Sequence, residues 1–335
     1  MQDGSARLTN NGAINIKGTI NRGIRLGGII GHTNHYYRTD LTNNGDLTIS
    51  AEINGSCRIG GIEGGGDCSD KVKKGHTNTG DIIVTETGWI KKVSTIGGIF
   101  GTWNGASDII PHSDGTPSAN YGDIIYKGKF GTEDMGEDSY LLIGGMFGSF
   151  SLMKTIKGGF TNSGSIEFSG TFYGAGSLNM GGIFGKNEVD LTTEGYLPDD
   201  GLLVFSGENI VCSGTIENGK LYIGGVAGSS TSKICNAKAL SNIQAIGYNG
   251  GVGMITGSAR VADTVVASNC AVGGSIATST TAQGEIERPK RTKLSATNYY
   301  NYIYGGMGTD WTGTDNYDGC TFDPTEVALP EEREE

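Results

Sequence analysis

A hydrophobic–Gly–Gly–hydrophobic–x–Gly block occurs six times in this chain, and it constrains the fold more than any other feature. The copies are Leu26–Gly31, Ile59–Gly64, Ile96–Gly101, Ile143–Gly148, Met180–Gly185 and Ile223–Gly228. They start 33, 37, 47, 37 and 43 residues apart, and weaker copies follow at Gly250–Gly253 and Tyr304–Gly308. A period of this length marks an array of stacked units, because one unit cannot bury its apolar side alone. A second block, Thr-Asn-x-Gly-x-hydrophobic, precedes each of the first five copies. It reads Thr9-Asn10-Asn11-Gly12, Thr42-Asn43-Asn44-Gly45, Thr77-Asn78-Thr79-Gly80, Ala119-Asn120-Tyr121-Gly122 and Thr161-Asn162-Ser163-Gly164. Later remnants are Ser241-Asn242, Ser268-Asn269 and Thr297-Asn298, and the sixth repeat, near Asn209, lacks the Thr.

The residues after each Asn block read as short strands. Ala13–Ile16 and Ser165–Phe168 alternate apolar with polar, while Asp81–Val84 and Asp123–Tyr126 are short β-branched or aromatic runs. No window carries a capped 3.6-residue period, and 261–266 is the one weak helix candidate. Two or three strands per repeat, with one Asn turn and one Gly-Gly corner, describe a coil of a solenoid. Parallel stacking sets equivalent residues about 4.8 Å apart. Asn10, Asn43, Asn78, Asn120 and Asn162 then form a side-chain ladder, at a turn where Asn tolerates the left-handed conformation. The pairs Gly27/Gly28, Gly60/Gly61, Gly97/Gly98, Gly144/Gly145, Gly181/Gly182 and Gly224/Gly225 suit a corner where a side chain would collide inside the stack. The expected fold is therefore all-β: a right-handed parallel β-helix of about seven to eight irregular coils. A β-propeller is the competing architecture, but its four-stranded blades do not suit so few strands per repeat.

The two blocks account for an unusual composition. The chain has 335 residues and 59 glycines. Average usage of about 7% would give about 23. Gly and Pro together make about 19% of the chain, from 59 and 6 residues. That lies below the roughly 25–30% of disordered low-complexity chains. Thirty-six acidic against 25 basic residues leave a net charge of −11, which disfavours nucleic acid as a partner. No transmembrane segment is present, since no run of 18 apolar residues occurs. Residues 1–290 read as repeats, 291–325 as a last coil and C-terminal cap, and 326–335 as an acidic, disordered tail. The pattern already runs at residue 9, so the N-terminus reads as the cut edge of a longer, surface-anchored chain, with a cytosolic protein as the alternative. Six cysteines without a C-x-x-C pair read as small buried side chains, with a local Cys57–Cys68 bridge as the alternative.

The alternation of Gly-Gly-Ile-Phe-Gly with Thr-Asn-x-Gly-x-Ile resembles a known repeat type, and so do Ile234-Cys235-Asn236 and Ser268-Asn269-Cys270. It is similar to the Gly-rich β-helix repeats of secreted, surface-associated proteins of gut Bacteroidetes, adhesin-like proteins and GLUG-motif chains among them. The segment from Asn298-Tyr299-Tyr300 to Asp318-Gly319-Cys320 resembles the terminal segment of such chains. The resemblance spans residues 8–325. It implies an extracellular or cell-surface protein that displays loops to glycans or to host and cell-surface proteins, with no shared catalytic residues.

Candidate chemistry is sparse. A β-helix enzyme acting on polysaccharide needs clustered acids on one face, and Asp199-Asp200 is the nearest pair in sequence. His32 and His76 read as solvated loop histidines. Asp310, Asp315 and Asp318, with Asp323 beside them, read as a solvated cap loop; no cofactor is expected, with Ca²⁺ bound by this oxygen-rich segment as the alternative. Tyr299, Tyr300, Tyr302, Tyr304 and Trp311 suit either capping of the last coil or stacking on sugar rings, and Tyr36-Tyr37 is a smaller contact candidate. Arg288, Lys290, Arg291 and Lys293 form a basic insertion. The expected function is non-catalytic, adhesin-like display of loops for glycan or protein binding. The alternative is a polysaccharide lyase or glycoside hydrolase.

Overall fold

A computed structural model of the chain describes residues 7–33, 40–66, 75–105, 109, 111–151, 159–189, 203–205, 209–232, 234–235, 237–246, 250–259, 267–268, 271–279 and 321–322. The first repeat contains β1 (Arg7–Asn10), β2 (Ile14–Ile16), β3 (Thr19–Ile20), β4 (Ile24–Gly27) and β5 (Ile30–Thr33). The next five are Asp40–Asn43, Leu47–Ile49, Glu52–Ile53, Cys57–Gly60 and Glu63–Gly66, each parallel to its counterpart. The repeat thus holds five strands, more than the two or three expected. Strands of two or three residues are too short for alternation to reveal them. Among the described residues the structure is all-β, with no helix, and its long parallel sheets stack in register. This arrangement is compatible with a β-solenoid.

All six Gly-Gly blocks fall into one column. Leu26, Ile59, Ile96, Ile143, Met180 and Ile223 pair in succession, and the Gly that follows each pairs likewise. Val252 and Gly253 continue this column. The seventh copy is therefore Val252–Gly257, two residues beyond Gly250, with Met254 in place of the second Gly.

Each glycine of the block has its own steric reason. A Cβ on Gly97, the first, would overlap the Phe100 carbonyl. The second receives the Asn side chain of the following repeat in the first four copies: a Cβ on Gly61 would lie 2.5 Å from Asn78 Cγ. Gly28, Gly98 and Gly145 meet Asn43, Asn120 and Asn162 in the same way. Gly182 and Gly225 depart from this pattern, because Phe205 and Ala239 stand in the Asn column of the repeats that follow them. A Cβ on Gly225 would lie 2.2 Å from the Met254 carbonyl oxygen and 2.9 Å from the Ala239 Cβ, so glycine is required there by backbone and a methyl group. Gly182 is buried, and its N–H donates to the Gly224 carbonyl at 3.1 Å. The Gly-Gly pair therefore outlasts the Asn that occupies its second position in earlier repeats. The third glycine lies flat on the strand one repeat earlier, where a Cβ on Gly101 would be 2.5 Å from the Ile59 nitrogen. The β4 and β5 positions consequently pack outer face to outer face, and Thr95 and Thr102 share a buried 2.8 Å hydroxyl hydrogen bond between them.

The Asn block forms the expected ladder. Asn10 donates to Asn43 (2.7 Å), Asn43 to Asn78 (2.8 Å), Asn78 to Asn120 (2.8 Å) and Asn120 to Asn162 (2.7 Å). Each amide also donates to the carbonyl of the Gly two residues on. These Asn residues end strands and do not adopt the left-handed conformation; the positive-φ non-Gly residue among those described is Asn218. Side-chain hydrogen bonding, not turn conformation, selects Asn here. The ladder stops at Asn162, because Phe205 and then Ala239 take its column. Ser241-Asn242 is not a remnant of the block: Asn242 pairs with Asn209, beyond the ladder column. With the turn lost, Ala237–Ile246 runs straight and joins the β1 and β2 sheets into one.

Inside, like stacks on like. Tyr126 and Phe168 are 5.3 Å apart, Phe130 and Phe172 5.1 Å, Phe100 and Phe147 5.3 Å, and Phe147 and Phe184 5.6 Å. These rings are fully buried, and such aromatics dominate core energetics. Cys57 and Cys212 are buried free thiols, so Cys57 is not bridged to Cys68. The cap at 291–325 and the tail at 326–335 lie outside the described residues, apart from Thr321–Phe322.

Candidate functional site

The corner between the β1 and β2 positions turns three columns of polar side chains outward. In His76–Asn78 the flanking residues are buried, and Thr77 faces out between them. One column further, the Asn44 amide donates to Asn11 at 2.8 Å, and the Thr79 hydroxyl donates to Asn44 Oδ1 at 2.8 Å. Tyr121 occupies the next rung of that column and is 55% exposed. Beside them stand Asp46, Asp81 and Asp123. The Asp81 backbone N–H donates to Asp46 (2.9 Å), that of Asp123 to Asp81 (2.8 Å) and that of Ser165 to Asp123 (2.8 Å). Partial burial pushes the Asp81 carboxyl up, assisted by the charges of Asp123 and Asp46 and opposed by the Asp123 N–H.

A loop covers the neighbouring part of this face. His112 Nε2 lies 2.9 Å from Thr77 Oγ1, and His112 Nδ1 lies 3.7 Å from Asp40 Oδ1. The Ser113 N–H donates to Asp40 Oδ2 at 3.2 Å. His112 and Asp40 are buried, and Thr77 is half-buried. The imidazole rests on Gly75, where any Cβ would overlap the ring. Asp114 on the same loop is held below the usual carboxylate range, chiefly by the Thr116 hydroxyl and N–H, with smaller help from His112 and Arg7.

Several expectations change. His76 is fully buried with its ring edge-on to Phe100 at 4.8 Å, and is no loop histidine. His32 is half-buried on β5, its Nδ1 2.7 Å from the Gly65 carbonyl. Tyr36, Tyr37, Tyr299, Tyr300, Tyr302, Tyr304, Trp311, Asp199, Asp200, Asp310, Asp315 and Asp318 lie outside the described residues. Among the described residues, no group of three or more His, Cys, Asp and Glu is arranged to hold a metal ion. Tyr121 was legible in principle, since the x of Thr-Asn-x-Gly faces outward in every repeat. Trp89 differs from Tyr121: Lys91 Nζ lies 4.2 Å from its ring centroid and Lys129 Nζ 5.5 Å, so cations already occupy it.

Comparisons with family models, with curated proteins and with solved structures give no match for this chain.

Proposed function

We propose that the chain is an adhesin-like, cell-surface or extracellular β-solenoid, right-handed and of about seven to eight coils. Its work is to present one polar corner and its variable loops to glycans or surface proteins, and that contact needs no turnover. The observation behind this reading is the exposed Tyr121 ring, flanked by stacked amides, hydroxyls and carboxylates. A flat ring with a polar tip stacks on sugar faces, while acceptors at a fixed rise meet hydroxyls along a chain. Affinity would come from several shallow contacts acting together. A broad glycan array and pull-down from host extracts test it. Retention of a ligand that falls at least tenfold in Tyr121→Ala supports the reading, and a wild-type protein that retains nothing overturns it.

The Asp46–Asp81–Asp123 column favours a second reading, a polysaccharide lyase or glycoside hydrolase. Rungs about 4.8 Å apart bring carboxylates near the roughly 5–9.5 Å separation that glycoside hydrolysis uses, and the raised Asp81 carboxyl suits a general acid. Incubation with a polysaccharide panel, read as new reducing or unsaturated ends, tests it. Activity that survives Asp81→Asn refutes the assignment.

A further inference from the structure

The face beneath the 111–117 loop carries a further arrangement at the edge of the same corner, whose chemistry neither the adhesive nor the polysaccharide-cleaving reading uses. We propose that Thr77, His112 and Asp40 form a hydroxyl–imidazole–carboxylate triad that cleaves small carboxylic esters. Three chain segments, 37 and 35 residues apart in sequence, converge to build it. The Thr77 hydroxyl hydrogen-bonds His112 Nε2 at 2.9 Å, the contact a general base needs to take its proton. The opposite ring nitrogen faces Asp40 Oδ1 at 3.7 Å. That oxygen is buried and has no hydrogen-bond partner among the described residues. Asp40 Oδ2 is held by the Ser113 N–H, which fixes the carboxylate plane. With Nε2 accepting from Thr77, the ring proton of the neutral imidazole sits on Nδ1, facing Oδ1, and an imidazolium adds its positive charge beside that carboxylate. The site is therefore poised for the charge that forms when Thr77 loses its proton, and such contacts tighten on reaction.

A loop anchor alone needs only the Thr77 contact. It does not need a buried carboxylate aimed at the other nitrogen, which costs free energy until a positive charge forms on the ring. Thr77 keeps partial exposure, as a nucleophile must, while its two partners are shielded.

In the first half of the reaction, His112 Nε2 takes the hydroxyl proton as Thr77 Oγ1 bonds to the ester carbonyl carbon. Collapse breaks the bond to the alkoxy oxygen, which leaves as alcohol with the proton from Nε2. Water then attacks the acyl-threonine, giving its proton to Nε2, and the carboxylic acid leaves as Oγ1 is reprotonated.

The full chain is tested with p-nitrophenyl acetate and with a fluorophosphonate probe, the adduct being located by peptide mass. Expected are turnover and an adduct on Thr77. Thr77→Ser should keep both, while Thr77→Val, of nearly the same shape, should abolish them. His112→Gln should slow turnover by about 10²–10⁴-fold, the usual scale of general-base catalysis. Thermal unfolding confirms that each variant is folded. Folded wild-type and Thr77→Ser proteins that take up no probe overturn the proposal, as does turnover that persists in Thr77→Val. Neither outcome bears on glycan retention, so the adhesive reading stands or falls separately.

Discussion

Replacing Asn78 by Ala should show what the buried ladder contributes. Asn78 is 1% exposed. Its amide donates to the Gly80 carbonyl and to Asn120 Oδ1, and its oxygen accepts from Asn43, all at 2.8 Å. The substitution removes these three bonds and strands their three partners, where no solvent reaches Asn43 or Asn120. A net hydrogen bond contributes about 1 kcal/mol, and a stranded buried group costs about 1–3 kcal/mol. The expected loss is about 3–6 kcal/mol. Asn10 is the internal control: at the partly exposed start of the ladder its amide makes the same two donations, to the Gly12 carbonyl and to Asn43, but it accepts from no preceding Asn among the described residues. Asn10→Ala should cost about 1 kcal/mol, because water can replace what is lost. Urea unfolding followed by circular dichroism should show a large drop in midpoint for Asn78→Ala at nearly constant slope. Equal losses in the two variants would refute the argument that burial gives the ladder its strength.

The remaining expectations concern backbone, charge and thiols. Gly98→Ala should cost about 3 kcal/mol or more, since its Cβ would overlap the Gly145 carbonyl and the Asn120 side chain. Gly136→Ala, with open space around the site and no positive φ, should instead add about 0.4–1 kcal/mol in the same unfolding assay. Asp81 carries a carboxyl raised in the fold, so its stabilising contribution is complete below the ordinary carboxylate range and is lost as pH rises through the folded value. Asp81→Asn should therefore raise the melting temperature at pH 7 and leave it almost unchanged at pH 3; a fall at pH 7 contradicts this sign. Burial pushes both Cys57 and Cys212 up to about 12. Mass spectrometry should find both unalkylated by iodoacetamide at pH 8 in native protein, and both alkylated in urea.

Much of this architecture is legible in the chain because stacking turns sequence period into spatial register. The six Gly-Gly blocks fall into one register column and the five ladder Asn residues into another, although the number of residues between the two blocks varies from repeat to repeat. Gly182 and Gly225 look identical to the earlier second glycines, yet the Asn column beside them has already ended. The third glycine of the block shows a further limit. Its contact is with a different strand one repeat earlier, and nothing local announces this. His76 looks like a loop residue because Gly75-His76-Thr77 has no apolar neighbours, yet the stack closes over it. Thr77, His112 and Asp40 meet only through register and a folded-back loop, so their sequence positions carry no shared signal. Asp46, Asp81 and Asp123 hold one fixed place after the Asn block, and their column could have been read from the repeat itself.

The Asn ladder also has electrical polarity. Each side-chain amide must turn its nitrogen toward the carbonyl of the Gly two residues on, which fixes which end is which. The second proton then always points to the following repeat, from Asn10 through to Asn162. Backbone dipoles in a parallel sheet largely cancel along this direction, but these five amides add head to tail. Each polarises the next, so a break in the middle weakens bonds on both sides of it. The stack thus has a direction as well as a length. A repeat grafted at the Asn10 end would have to donate an amide proton, whereas one grafted after Asn162 would have to accept it.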